Sequence, residues 1–302
     1  MRIGIALSAA VVLATLVAPP ADAKTAGTNG QISYDDETNA FVINPDGSGQ
    51  LQLNPPDSPG CCATWSPDGT RLAMSGSTTD GRIGTAIVDP DGGNYGVLPI
   101  LVPGLNLVCN FWSPTADRLA CQGWDDNDAS RDGIYTARTD GLDVRRVTVG
   151  VDTPLDFKPD GTRILFERQD PRPAAGGNAL FTVNVDGTGL QQVTAYGAEH
   201  CCTASWSPDG RWIVFGGKGK LWLVHPDGTS LQQIPLHINM LHYSAFEPSW
   251  APDGTHIVFA MAFSGRDSDI YTVAHDGTGL VQVTDTPGHE GNPNWGTHPV
   301  QP

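Results

Sequence analysis

The chain has 302 residues and a formal charge of −16 at pH 7, a length that suits one large all-β domain or two small ones. An acidic surface repels phosphate backbones and anionic lipid headgroups, which argues against nucleic acid and leaves cationic partners or divalent metal as electrostatic company. Glycine (36) and proline (24) make up about a fifth of the residues, the punctuation of many short strands joined by tight turns, while eight tryptophans argue against disorder.

Residues 1–23 read as a secretory signal peptide. Arg2 supplies the positive start, a mostly apolar run follows from Ile3 to Val17, and Ala21-Asp22-Ala23 is a small-x-small cleavage site. The run is short for a membrane span and Pro19-Pro20 ends it, so no stable membrane insertion is expected. The mature chain, 24–302, is expected to be secreted or periplasmic and to form a single domain.

The segment from Gln31 to Leu53 holds three short strand patterns, the middle one ending in Asp46-Gly47. From there a repeat governs the chain. Trp65-Ser66-Pro67-Asp68-Gly69 returns as Trp206-Ser207-Pro208-Asp209-Gly210. Trp250-Ala251-Pro252-Asp253-Gly254 and Phe157-Lys158-Pro159-Asp160-Gly161 are close variants. Trp112-Ser113-Pro114 begins alike but continues Thr115-Ala116-Asp117, and Trp295 stands alone near the end. These six aromatics are 47, 45, 49, 44 and 45 residues apart. Apolar strands ending in Asp-Gly alternate with them: after Asp46-Gly47 come Asp91-Gly92, Asp140-Gly141, Asp186-Gly187, Asp227-Gly228 and Asp276-Gly277.

Ser-Pro-Asp-Gly is a tight hairpin. Proline sets φ at the second position, and glycine takes the positive φ at the fourth. Four antiparallel strands in about 45 residues cannot bury both faces alone and must stack on copies of themselves. The N-terminal three strands lack a first strand, and Asn292-Pro293-Asn294-Trp295 is a first strand without followers. Joined, they make one blade. The expected fold is therefore all-β: a six-bladed β-propeller of four-stranded antiparallel blades, closed by N-terminal strands pairing with a C-terminal strand.

The Trp-Ser-Pro-Asp-Gly hairpins and Asp-Gly strand ends resemble the TolB-type, WD-like propeller repeat over residues 28–298. The resemblance implies the fold strongly and the function weakly. Such blades occur in periplasmic TolB, in propeller domains of prolyl-oligopeptidase-like and tricorn-like proteases, and in oligogalacturonate lyases. The α/β domain that precedes the TolB propeller has no counterpart here. A hydrolase domain and a Gly-x-Ser-x-Gly elbow are also missing from the sequence.

Candidate site residues lie in the loops that lead into first strands, which a propeller of this kind gathers at one mouth of its channel. They are Asp152, His200, His242, Glu247, His289 and Glu290, the residue types that bind divalent metal or move protons. A second candidate is Asp126, Asp128 and Asp132, alternating oxygen ligands suited to calcium. No resident cofactor is otherwise expected. All six cysteines belong to the mature chain, and an even count in an exported protein suggests disulfides. Cys109 and Cys121 mirror each other about Thr115 and should form a cross-strand bond. Cys61-Cys62 and Cys201-Cys202 should each form a vicinal disulfide or stay reduced. The expected function is a binding or scaffold module, a monomer engaging a protein, peptide or glycan at the channel mouth. The alternative is a polysaccharide lyase or hydrolase using histidine and carboxylate there.

Overall fold

The computed structural model describes residues 27–77, 82–99, 102–172, 177–197, 200–238, 242–263 and 267–300. The leader expected at residues 1–23 lies outside them. Six four-stranded antiparallel sheets follow one another. Blade one comprises Thr64–Trp65, Leu72–Ser77, Ile83–Val88 and Gly96–Val97. Blade two comprises Asn106–Trp112, Arg118–Trp124, Gly133–Arg138 and Arg145–Arg146. Blade three comprises Asp152–Phe157, Arg163–Gln169, Asn178–Asn184 and Gln191–Gln192. Blade four comprises His200–Trp206, Ile213–Gly217, Lys220–Val224 and Gln232–Gln233. Blade five comprises Tyr243–Trp250, His256–Phe263, Ser268–Ala274 and Val281–Gln282. In blade six, Gly291–Trp295 pairs with Ile32–Asp35, followed by Ala40–Ile43 and Leu51–Gln52, with Ile32 opposite Trp295.

The core is divided as a ring requires. Six buried apolar clusters lie between the six successive pairs of blades. The cluster between blades five and six joins Val258, Ala260 and Ile270 to Ile32, Tyr34 and Trp295. The one between blades six and one joins Val42 and Leu53 to Trp65 and Met74. Each sheet is thus apolar on both faces, and its second and third strands are nearly continuous in buried residues.

The first strands line the channel and are stitched blade to blade by polar residues that precede several of the aromatics. Trp65 N donates to Asn294 Oδ1 (3.1 Å), Trp206 N to Asp156 Oδ2 (2.9 Å) and Trp250 N to Ser205 Oγ (3.3 Å). Asn294 Nδ2 in turn reaches Ser249 Oγ at 3.2 Å. These bonds satisfy backbone donors that have no further strand to pair with on the channel side.

Antiparallel order places the Pro-Asp-Gly and Asp-Gly turns on one face, the turn face. The longer connections gather on the other, the loop face. On the turn face each aspartate closes its own turn. Asp68 Oδ1 accepts from Ser66 Oγ (2.6 Å) and Thr70 N (3.1 Å), with Gly69 at φ 67°. In blade two the irregular Thr115-Ala116-Asp117 makes the same turn, but Ala116 takes the positive φ, 55°.

Candidate functional site

The first strands are not regular. Five of the six are bulged where they meet their second strands, just before the aromatic. Three residues before it stand Cys62 in blade one, Glu247 in blade five and Asn292 in blade six, with φ of 60°, 54° and 49°. A non-glycine residue in this region is strained by roughly 1–2 kcal/mol. Three such positions in three neighbouring blades turn their side chains away from the regular alternation and towards one another.

The result is a cluster at the loop-face end of the channel. Asp35, the last residue of its strand in blade six, is buried, and its Oδ2 accepts from Cys62 N at 2.9 Å. Asn292 also hydrogen-bonds to the Asp35 carboxylate. Glu247 Oε2 accepts from Asn292 N at 2.6 Å. That approach needs Gly291, because a Cβ there would lie 2.7 Å from Glu247 Oε2. Cys61 Sγ lies 3.1 Å from Ser75 Oγ. Asn110 of blade two donates from Nδ2 to Cys62 O at 3.3 Å, while its buried Oδ1 has no protein partner. The ligand atoms of Asp35, Cys61 and Cys62 lie within 4.8 Å of one another, and among the described residues no other group of three potential metal ligands does so.

Burial holds the Asp35 and Glu247 carboxyls above their ordinary range. Hydrogen bonds from Cys62 and Asn292 oppose the rise, and the Asp35 charge adds to it at Glu247. The bond between the two thiols pulls Cys61 down and pushes Cys62 up. Asp36 raises Asp35, Asp35 raises Glu247 and both thiols, Glu247 raises both thiols, and Cys61 raises Cys62, all through negative charge.

Below the cluster the channel narrows to about 90 Å³, lined by all six first strands, including Phe111, Asp156, Thr203 and Pro293. The turn face carries larger open grooves, among them one of about 680 Å³ beside Lys158, Trp212 and His275. Others recur at the seams near Thr70 and Thr115. Such spaces recur between repeated hairpins, which marks them as products of ring geometry.

The residues singled out from the sequence are dispersed. Besides Cys61 and Cys62, Glu247 joins the cluster. Asp152 has a fully buried side chain held by Arg168 through Nε–Oδ1 and Nη2–Oδ2 contacts of 2.7 Å each. Glu290 is buried, accepts from the hydroxyls of Thr284 and Thr286, and is pushed up by burial. His242 is exposed, and His289 is exposed with Nε2 3.8 Å from Asp267 Oδ1. The backbone of His200 opens its strand opposite Gly217, and its side chain is outside the described residues. The physical reason for the dispersal is distance along the chain. His242 and His289 precede their aromatics by eight and six residues, where the backbone has already left the channel wall.

The acidic loop spends its oxygens internally. Asp128 Oδ1 caps the short 3-10 turn Ala129–Arg131, accepting from Ser130 N and Oγ. Asp132 Oδ1 accepts from Asp125 N (3.1 Å), Asp126 Oδ2 accepts from Asn106 Nδ2 (3.2 Å), and Arg131 pairs with Asp125. Cys109 and Cys121 are directly opposite in register and joined by a disulfide. Cys61 and Cys62 are free thiols, so no vicinal bond is formed there; one thiol faces Ser75 and the other is held beside Asp35. The side chains of Cys201 and Cys202 lie outside the described residues. Asp35, Asn110 and Asn292 were not legible as site residues. The available signal was the position three before each aromatic, where Asn292-Pro293 and Glu247-Pro248 share an x-Pro step.

Comparison with known proteins shows the family by sequence and the fold by structure. Residues 46–299 match the TolB beta propeller domain. The Tol-Pal system protein TolB of Anaeromyxobacter sp. (strain K) is 29% identical over 120 residues, 38% of this chain and 26% of that protein. The matched stretch thus spans about a quarter of that relative's length. TolB from Acinetobacter baumannii superposes with a TM-score of 0.70 at 19% identity, covering 88% of this chain and 66% of the other. A TolB-like structure from Agrobacterium tumefaciens gives 0.69 at 19% identity, covering 90% and 94%. These structural likenesses are of fold.

Proposed function

The chain belongs to the TolB beta propeller domain family, and from that premise we propose that it is an extracytoplasmic protein-binding module whose partner docks on the loop-face mouth of the channel. The observation that carries this reading is the channel wall itself. Thr203 Oγ1 is a buried hydroxyl without a protein partner in the wall of a channel lined by all six first strands, and Asn110 Oδ1, beside Cys62, is a second such atom. A buried polar atom left unsatisfied costs about 1–3 kcal/mol, which an incoming donor recovers. An opening of about 90 Å³ admits a side chain or a chain end, not a folded domain. The partner therefore rests on the loops and inserts an extended segment with hydrogen-bonding groups. The net charge of −16 favours a cationic one. The leader-like N-terminus and the Cys109–Cys121 disulfide support a location outside the cytoplasm. No helix among the described residues is long and apolar enough to cross a membrane.

The polysaccharide lyase or hydrolase alternative draws no support from the site, because His242 and His289 stand exposed on the loops, apart from Glu247. The test is capture of partners from the extracytoplasmic fraction with the mature chain. Thr203→Phe, which fills the channel, should lose what the wild type captures, whereas Asp227→Lys on the turn face should keep it. Retention by Thr203→Phe together with loss by Asp227→Lys overturns the reading.

A further inference from the structure

We propose that Asp35, Cys61 and Cys62 form a binding site for a thiophilic divalent cation of the zinc type, placed where blades five, six and one meet. Three independent features of geometry lead there. The first is proximity: one carboxylate oxygen and two sulfurs lie within 4.8 Å of one another. A tetrahedral ion with bonds of about 2.3 Å to sulfur and 2.0 Å to oxygen needs ligand atoms roughly 3.5–3.8 Å apart. The side chains close that gap by small rotations, without moving the sheets.

The second is backbone conformation. Neighbouring residues of a regular strand point to opposite faces and cannot share an ion. Cys62 at φ 60° breaks that alternation and brings its sulfur round to the side of Cys61. The strained position is the device that makes an adjacent pair into a chelate.

The third is orientation by outer groups. Asp35 is fixed by Cys62 N on Oδ2 and by Glu37 N on Oδ1, at 2.9 and 3.2 Å. The Cys61 sulfur is met by the Ser75 hydroxyl, which itself donates to Cys61 O. Metal sites are tuned by such contacts to the ligands. Glu247 adds a second carboxylate, whose charge is felt by both thiols and which itself feels the charge of Asp35, so negative charges gather here. A bound dication balances them. On binding, each S–H bond breaks heterolytically, both protons leave to solvent, and two metal–thiolate bonds form with no change of oxidation state. Sulfur ligands select zinc-like ions over calcium and magnesium.

The probe is cobalt(II) alone, added to the mature chain with Cys201 and Cys202 replaced by serine, the Cys109–Cys121 disulfide intact and Cys61 and Cys62 reduced, so that only one free pair remains. The expected result is one equivalent bound, with a near-ultraviolet thiolate-to-cobalt charge-transfer band and the strong visible bands of tetrahedral cobalt, all abolished by stoichiometric zinc. Cys61→Ser and Cys62→Ser should each remove the charge-transfer intensity of one thiolate and weaken binding by roughly 100-fold or more, and Asp35→Asn by roughly tenfold or more. Zinc should raise the melting temperature of the parent and not of Cys61→Ser/Cys62→Ser, which also shows whether that variant is folded. Absence of the thiolate band when thiol titration shows Cys61 and Cys62 reduced overturns the proposal, as does a band that survives in Cys61→Ser/Cys62→Ser with the Cys109–Cys121 disulfide intact.

Discussion

The two faces of the ring use the same acidic residues for opposite purposes. On the turn face, Asp46, Asp186, Asp227 and Asp276 are exposed. Each accepts from a hydroxyl and a backbone N–H two residues on, and those bonds hold the carboxyls below their ordinary range. On the loop face, Asp35, Glu167, Glu247 and Glu290 are held above theirs, burial being the largest cause in every case. The turn face repeats one local solution that stabilises the charged form. The loop face confines these four carboxyls where the charged form is costly. A propeller thus separates the residues that specify its fold from those available for binding, and each face can be challenged independently.

The largest expected effect comes from taking the counter-ion away from a buried loop-face carboxylate. Asp152 has no exposed side-chain surface and depends on Arg168, which also lies over the rings of Phe166 and Phe181. Arg168→Met keeps the stem and removes the charge. An uncompensated buried carboxylate costs about 3–5 kcal/mol, equivalent to a fall of roughly 10 °C in melting temperature for a domain of this size. The matching pair on the turn face, Lys158 with Asp160, is partly exposed. Lys158→Met should cost under about 1 kcal/mol. Thermal melts of both variants check the comparison, which breaks if the two losses are equal. Asp152→Leu added to Arg168→Met should recover most of the loss.

The next effect is one of sign with pH. Burial pushes Glu167 up to about 7, with Asn178 Nδ2 donating to its Oε1. A carboxyl raised in the folded state keeps its proton there while the unfolded chain has already lost it. Its contribution is full below the unfolded value near 4.3, and it is lost as pH rises towards 7, by about 2 kcal/mol once partial solvation is allowed for. Turn-face aspartates behave oppositely: their contribution is present at neutral pH and is lost as pH falls through their lowered values. Denaturation at a series of pH values should therefore show wild type losing stability relative to Glu167→Gln between pH 4.5 and 7. Asp227→Asn should lose its deficit relative to wild type only in acid. Slopes of the same sign at both sites would dissolve the distinction between the faces.

What the sequence made legible follows the same division. The turn face is largely local: Ser66 to Arg71 contains the bonds that close its own hairpin through Asp68 and Ser66, so residue types and spacing suffice. The Cys109–Cys121 bond belongs to one hairpin and could be read the same way. The loop-face cluster is not local. Asp35 meets Cys62 across 27 residues and a blade boundary, and Glu247 meets Asn292 across 45. Reading along the chain placed Glu247 on the correct face but supplied it with histidines that sit further out on the loops. The residue three before each aromatic is the position that matters, and its left-handed backbone in Cys62, Glu247 and Asn292 has no residue-type signature, since none is glycine. Cys109 occupies that same position in blade two and is a buried disulfide partner, so residue type did not reveal what neighbours it would find.

The smallest effect tests the turn face where it departs from its own rule. Gly69, Gly161, Gly210 and Gly254 occupy the positive-φ position of their hairpins, at 67°, 71°, 68° and 71°. In blade two Ala116 holds it at 55°, and the acceptor of the turn has moved to Asp117, which takes bonds from Ser113 Oγ and Thr115 Oγ1. A Cβ in this region is disfavoured by roughly 1 kcal/mol, whereas glycine carries no such penalty but has more freedom to lose on folding. Ala116→Gly should therefore stabilise the chain by about 0.5 kcal/mol, a rise of 1–2 °C. The reverse change, Gly69→Ala, should destabilise by more than that gain, because its Cβ would also lie 2.7 Å from His298 N. A loss of stability in Ala116→Gly would mean that blade two is held by Asp117 in a turn of its own kind, and that the hairpins are not interchangeable copies.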